Sequence, residues 1–145
     1  MFAIDAATRQ VTSLRVEGRT AAPAAIEADE TTGRIFLSYA REIVSVDATS
    51  GAVRGRVVTQ EPAAIAFDPG PGLLLATRYT AKEILAFRPT DTGLEPAGRM
   101  SWAGGLSLWL EPTRNGFVQA GEMTSGVENS DWRSASLVIW TLAAR

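Results

Sequence analysis

The chain has 145 residues, 46% of them hydrophobic, which is typical of one globular domain with a buried core. Its formal net charge is −2 and acidic and basic residues are interspersed, so nothing favours a nucleic acid or an anionic membrane as partner. Cysteine and histidine are both missing, which excludes disulfides and thiol catalysis and removes the commonest general base and zinc ligand. We therefore expect no metal site and no cofactor.

The composition leaves the cellular compartment open. No apolar run approaches the roughly 18 residues that cross a bilayer. The first five residues, MFAID, have neither the basic start nor the apolar stretch of a signal peptide, and they resemble a strand instead. The default expectation is the cytoplasm.

A repeat organises the chain. The segment PAAIEADETTGRIFLS at 23–38 returns as PAAIAFDPGPGLLLAT at 62–77, so that Pro23 and Pro62 are 39 positions apart (62 − 23). A period of this length filled with short strands is typical of β-propellers. The sequence therefore predicts an all-β fold, a partial β-propeller of about three to three and a half blades, each a four-stranded antiparallel sheet.

Aligning the copies on their glycines places the strands in chain order. A half blade at 1–22 contains strands at 2–5 and 11–16, because FAIDAAT repeats in VSVDATS. The blade at 23–61 contains strands at 24–28, 34–39, 43–46 and 52–58, and the blade at 62–104 contains strands at 63–67, 73–78, 84–87 and 94–100. The last blade, 105–145, contains strands at 106–110, 117–123 and 137–141 and lacks a fourth. No segment has the spacing of an amphipathic helix.

The turns carry two signatures. An acidic residue ends each first strand, and a glycine that tolerates a positive φ opens each second strand, at Gly33, Gly72 and Gly116. We expect the aspartates in the turns to make Asx hydrogen bonds rather than to bind calcium, because they lack a dense alternation of oxygen ligands. These aspartates are Asp29, Asp47, Asp68 and Asp91, the last in a turn predicted over 88–93.

Several of these motifs resemble a known family. The segments IVSVDATSGAV (43–53), PAAIAFDP (62–69), GLLLAT (72–77) and ILAFRPTDTGLEPAGR (84–99) are similar to repeats of bacterial YVTN-type propellers and of the lactonase-like, phosphogluconolactonase-like seven-bladed propellers. The resemblance covers nearly the whole chain and implies the propeller fold, but its motifs specify turns and packing. Lactonase-like members are expected to use polar clusters that often contain histidine, so the missing histidine prevents carrying that activity over.

The predicted blades form an arc rather than a ring, since the chain starts and stops at a third strand. Three interpretations remain: the C-terminal portion of a longer propeller, several copies that complete one ring, or a small self-contained stack of sheets. Open strand edges and apolar faces favour association. We therefore expect a homo-oligomer, or the missing blades of a longer propeller, as partner.

The candidate site residues lie on loops that join second and third strands. The longest of these loops, near 124–135, has the mixture of an aromatic and charges found in recognition loops, while the simpler interpretation is that it covers the channel mouth or an edge, with Trp132 packed down. Its candidates are Glu128, Asn129, Asp131, Trp132 and Arg133. In the shorter loops Arg41, Arg78 and Lys82 either converge with Arg133 on an anionic ligand or are ordinary solvated charges.

The aromatic residues have two interpretations as well. Tyr39 and Tyr79 end neighbouring second strands, where they could stack on a ligand or pack between blades. Trp102, Trp109 and Trp140 are expected in the core. The leading prediction for function is a non-enzymatic propeller module that recognises a protein or small molecule at the loop face. The alternatives are a fragment of a lactonase-like hydrolase acting on a lactone or sugar ester, and a structural remnant without activity.

Overall fold

The structure is a computed structural model that describes the backbone of residues 2–4, 7–78, 80–101, 106–112, 117–123 and 135–141. Side chains are described for residues 7–101 except 12, 63 and 79. Within these residues the chain is all-β and contains no helix, so none could cross a membrane. The predicted fold class is confirmed.

In the described part of the chain, thirteen strands form four antiparallel sheets, each built from strands consecutive in the chain. The N-terminal pair consists of β1 (Phe2–Ile4) and β2 (Val11–Ser13). The first four-stranded sheet consists of β3 (Ala25–Asp29), β4 (Arg34–Tyr39), β5 (Glu42–Asp47) and β6 (Val53–Val58). The second consists of β7 (Pro62–Asp68), β8 (Leu73–Arg78), β9 (Glu83–Thr90) and β10 (Gly93–Ser101). The C-terminal sheet consists of β11 (Leu106–Pro112), β12 (Phe117–Met123) and β13 (Ala135–Thr141).

The two four-stranded sheets pack face to face, because their middle strands are apolar on both sides. One face of β4 and β5 contributes Phe36 and Ile43 to a core that it shares with the second sheet. The rings of Phe36 and Phe67 lie 5.5 Å apart across this junction. The remaining buried members come from the second sheet: Ile65, Leu74, Ala76, Phe87 and Leu94.

The outer faces of this pair carry apolar clusters of their own. The face of the first sheet toward the N-terminal segment holds Leu37, Tyr39, Val44 and Val46, with Val16 packed on it. The far face of the second sheet holds Ala66, Leu75 and Ile84. Each four-stranded sheet is therefore sandwiched, which is the packing expected of propeller blades.

The predicted strand positions agree closely with the structure. The bounds of β4, β8 and β12 match the predictions, and most other strands differ by one or two residues. The strand predicted at 11–16 is shorter, because β2 ends at Ser13 and the chain then turns so that Leu14 is buried and Val16 packs on the first sheet. The division of the chain into blades at 22, 61 and 104 stays a prediction.

One predicted turn is wrong. The turn expected over 88–93 is only Asp91 and Thr92, since β9 continues to Thr90 and β10 begins at Gly93. Pro89 is tolerated in β9 because the pairing with β8 has already ended at Phe87, opposite Leu74. Proline therefore withholds no hydrogen bond from that ladder.

The other turn predictions are confirmed where the structure describes them. Gly33 and Gly72 have φ values of 63° and 65°. The carboxylates of Asp29, Asp47 and Asp68 accept hydrogen bonds from backbone amides two residues further on, at 2.9–3.0 Å, which defines Asx turns. Asp91 differs, since its carboxylate meets the Arg34 guanidinium at 3.5 Å. Gly116 lies outside the described residues.

Candidate functional site

The candidate site is the end of the two central sheets where the β4–β5 hairpin, the β8–β9 hairpin and the link from β6 to β7 meet. We call it the hairpin end and define it by residues 40–41, 59–61 and 80–82. Two backbone bonds join the link to the first hairpin: the Thr59 amide donates to the Arg41 carbonyl at 3.1 Å, and the Glu61 amide to the Ala40 carbonyl at 3.2 Å. Main-chain hydrogen bonds therefore fix the link against the first hairpin.

Arg78 is part of this framework rather than a free cation. Its guanidinium pairs with the carboxylate of Glu83 at 2.9 Å and donates to the carbonyl and side-chain oxygens of Gln60, both at 3.3 Å. These contacts connect β8 to the link between the sheets. Because these three contacts hold its guanidinium in place, Arg78 stabilises the hairpin end.

Arg41 and Lys82 are placed differently. Both are exposed at the tips of neighbouring hairpins, and neither side chain has an ion pair or hydrogen bond within the described residues. The structure therefore places two of the three predicted short-loop cations at one end of the sheets with their charges displayed. The other candidates, Glu128, Asn129, Asp131, Trp132 and Arg133, lie outside the described residues.

The backbone at this end is strained at two positions. Glu61 and Lys82 have φ values of 49° and 51°, in the left-handed region that favours glycine. The hydroxyl of Thr80 donates to the Glu61 carboxylate and so joins the second hairpin to the link. Non-glycine residues in this conformation cost on the order of 1–3 kcal/mol and concentrate at functional sites.

A small cleft of about 450 Å³ opens between the first hairpin and the link. Charged, polar and apolar groups meet in it. Its lining residues are Ala40, Arg41, Val58, Thr59, Gln60 and Glu61.

Tyr39 belongs to the packing rather than to a free stacking surface. Its ring is buried among apolar residues of the first sheet, and the guanidinium of Arg19 lies 5.1 Å from the ring centroid. Arg19 also pairs with Glu42. Burial raises the pKa of the Tyr39 hydroxyl, and the charge of Arg19 opposes that rise. Tyr79 lies outside the described residues, as does Trp102, and the side chains of Trp109 and Trp140 are not described.

A buried arginine, Arg34, was missed by sequence reasoning. It begins β4, and its guanidinium crosses to the second sheet, where it donates to the Thr90 carbonyl at 2.6 Å. The signal was a charge in an otherwise apolar strand, at the position where the second copy of the repeat has Leu73. Arg34 lies at the opposite end of the sheets from the hairpin end, so it joins the two sheets without contributing to the candidate site.

Glu27 makes a second polar contact between the sheets. Burial raises the pKa of its carboxyl, while hydrogen bonds from the backbone amides of Phe67 and Ala28 lower it. Because Phe67 lies on β7, the Glu27 carboxyl of β3 lies close to the first strand of the second sheet. In the described part of the chain, no group of three or more acidic side chains is positioned to hold a metal ion.

Comparisons with solved structures find similar folds in other proteins. The match with a protein from Lactobacillus plantarum covers 98% of this chain and 48% of that protein, with a TM-score of 0.58 and 14% sequence identity. The match with the structure of U3-55K covers 84% of this chain and 39% of that protein, with a TM-score of 0.68 and 8% sequence identity. The match with a chain of a mitotic checkpoint complex covers 68% of this chain and 32% of that one, with a TM-score of 0.62 and 10% sequence identity.

These neighbours are β-propeller proteins. The chain folds as part of a β-propeller. It spans 32–48% of the length of the three neighbours, and at these identities the likeness shows the fold alone. No protein-family model and no curated protein sequence matches the chain.

Proposed function

We propose that this part of a propeller is a non-enzymatic binding module whose hairpin end recognises a protein partner. The observation that carries the proposal is the contrast between Arg78, which is held by Glu83 and Gln60, and the exposed Arg41 and Lys82 at the hairpin tips. A rigid base under displayed charges suits a recognition surface, because the base itself loses little conformational freedom when the partner docks.

Two further points support a protein partner. One structural neighbour is a chain of a mitotic checkpoint complex, so a propeller of similar fold occurs there in an assembly of proteins. The loop near 124–135 joins the second and third strands of its predicted blade, as the two hairpins do. In the proposal Glu128, Asn129, Asp131, Trp132 and Arg133 extend the same surface.

Charge reversal tests the proposal. Tagged wild-type chain and the variants Arg41→Glu and Lys82→Glu are expressed in the native host, cross-linked and purified, and the recovered proteins are quantified by mass spectrometry. We expect at least one specifically recovered protein to fall about tenfold with each variant, which corresponds to about 1.4 kcal/mol of binding free energy.

The matched control is Arg88→Glu. Arg88 is also an exposed arginine, but it lies on β9 toward the turn at Asp91 and Thr92, away from the hairpin end. Recovery with this variant should equal that of the wild type. Equal recovery with all variants, or an equal loss with the control, would overturn the assignment.

The hydrolase alternative predicts a different result. The purified chain would hydrolyse a lactone or a sugar ester faster than buffer does, and Arg41→Glu or Lys82→Glu would change that rate. Such turnover would contradict the non-enzymatic proposal.

A further inference from the structure

The cleft at the hairpin end presents opposite charges that do not neutralise each other. Arg41 and Glu61 both line it, yet the described ion pairs do not include one between them. One oxygen of Glu61 accepts the Thr80 hydroxyl, and the Arg41 guanidinium has no partner within the described residues. Both groups therefore keep capacity for a ligand.

Gln60 and Val58 add a neutral donor and an apolar group to the two charges of the cleft. The side-chain oxygen of Gln60 accepts from Arg78, so its amide nitrogen points its donors elsewhere. Val58 is 84% exposed and supplies an apolar wall. The cleft thus offers a cation, a neutral donor, an anion and an apolar surface within about 450 Å³, a volume in the range of small-molecule sites.

The backbone of Glu61 adopts a conformation that costs free energy for a residue other than glycine. Its φ is 49°, and it precedes Pro62, whose ring further restricts the residue before it. Three other left-handed turn positions of the two sheets carry glycine, at Gly33, Gly51 and Gly72, while Lys82 is a non-glycine position like Glu61. Glycine would relieve position 61 in the same way, so a glutamate there points to a use for its side chain.

We propose that this cleft binds a free α-amino acid with an apolar side chain. Arg41 and the Gln60 amide receive the ligand's carboxylate, Glu61 receives its ammonium group, and Val58 packs against its side chain. The inference goes beyond the proposed function, because the ligand is a small molecule seated between hairpin and link. Gln60 and Glu61 belong to the hairpin end as well, and Arg41 is the residue whose substitution tests both proposals.

Titration of the full chain with L-leucine, followed by NMR and calorimetry, tests the inference. We expect saturable binding with shifts at Val58 and Glu61. 4-Methylpentanoate lacks the ammonium group and 3-methylbutylamine lacks the carboxylate, so each should bind at least tenfold more weakly. Arg41→Gln and Glu61→Gln should each weaken leucine binding by a similar factor. Absence of saturable leucine binding, or analogues that bind as well as leucine, would overturn the inference.

Backbone strain supplies a second, independent readout. Glu61→Gly should abolish leucine binding without lowering the melting temperature, because it removes the carboxylate and relieves the left-handed backbone. The matched control is Arg9→Gly, since Arg9 has a φ of 57° in the β1–β2 turn and does not line the cleft. It should keep leucine binding unchanged. Leucine binding by Glu61→Gly as tight as that of the wild type would refute the site. The co-purification experiment with Lys82→Glu tests the protein partner separately.

Discussion

At the scale of single residues, the contacts between the sheets are polar as well as apolar. The buried guanidinium of Arg34 reaches a main-chain carbonyl of the second sheet, at Thr90. Its contact with Asp91 is longer, 3.5 Å, and Asp91 is fully exposed. Hydrogen bonds to charged groups contribute more when they are buried, so the carbonyl contact should dominate.

We therefore expect Arg34→Ala to lower the free energy of unfolding by about 2 kcal/mol, because the Thr90 carbonyl loses a charged donor. Asp91→Asn should change it little, since the exposed pair is screened by solvent. Urea denaturation of both variants measures the difference. A loss in Asp91→Asn as large as in Arg34→Ala would show that the exposed ion pair, and not the buried bond, joins the sheets.

Asp47 should make stability depend on pH. Hydrogen bonds from the Ser50 amide, the Arg54 side chain, the Ser50 hydroxyl and the Thr49 amide, in that order, hold the pKa of its carboxyl well below the usual range. A pKa lower in the folded than in the unfolded chain stabilises the fold above the unfolded value of about 4, and this contribution is lost as pH falls toward the folded value.

Asp47→Asn should therefore be less stable than the wild type at pH 7, and the difference should shrink as the pH is lowered from 4 to 2. Urea unfolding at several pH values measures it. Arg54→Gln should remove only part of this pH dependence, because the hydrogen bond from the Ser50 amide lowers the pKa of Asp47 more than the Arg54 side chain does. A difference that stays constant from pH 7 to pH 2 would contradict this explanation.

At the scale of elements, the outer strands of the two sheets touch through glycines. A Cβ placed on Gly55 of β6 would lie 2.4 Å from the Cα of Gly93, where β10 begins. No side chain fits between two backbones at that distance.

Gly55→Ala should consequently destabilise the chain by about 2 kcal/mol, the cost typical of overpacking. Gly98→Ala is the matched control on β10, since a Cβ there meets nothing within 4 Å, and it should change the unfolding free energy by less than about 0.5 kcal/mol. Chemical denaturation compares the two. Equal effects would mean that the close approach of β6 and β10 does not limit the packing.

Strands and turns were predictable from the sequence because both depend on local chemistry. The repeat at Pro23 and Pro62 set the strand order, and the left-handed glycines marked where second strands begin. The contacts between sheets were not predictable. Arg34 occupies a position where the repeat has an apolar residue, and its partner Thr90 is 56 residues away. No local sequence pattern predicted the left-handed backbone of Glu61 either, because that conformation depends on the hydrogen bonds between the link and the first hairpin.

At the scale of the whole molecule, several large apolar side chains of the described residues remain exposed on strands of the sheets. Ile26 on β3 is 52% exposed and Val11 on β2 is 62% exposed. Val58 lies on β6, the outermost strand of the first sheet. Exposed apolar residues near open strand edges favour association with further strands.

We accordingly propose that the chain associates with copies of itself or with further propeller blades. Size-exclusion chromatography with light scattering should give a mass above 15.5 kDa, and Ile26→Lys should shift it toward that value. Arg88→Lys, an exposed substitution on β9, should not. A monodisperse species of 15.5 kDa at micromolar concentration would contradict this proposal.

The central claim of this account is that the two four-stranded sheets are neighbouring blades packed through one apolar junction. A double-mutant cycle between Phe36 and Phe67 tests it most directly, because their rings lie 5.5 Å apart on different sheets. Unfolding free energies of Phe36→Leu, Phe67→Leu and the double variant should reveal a coupling of about 0.5–1.5 kcal/mol. Strictly additive losses would show that the two rings do not touch and would contradict the stacked-blade arrangement.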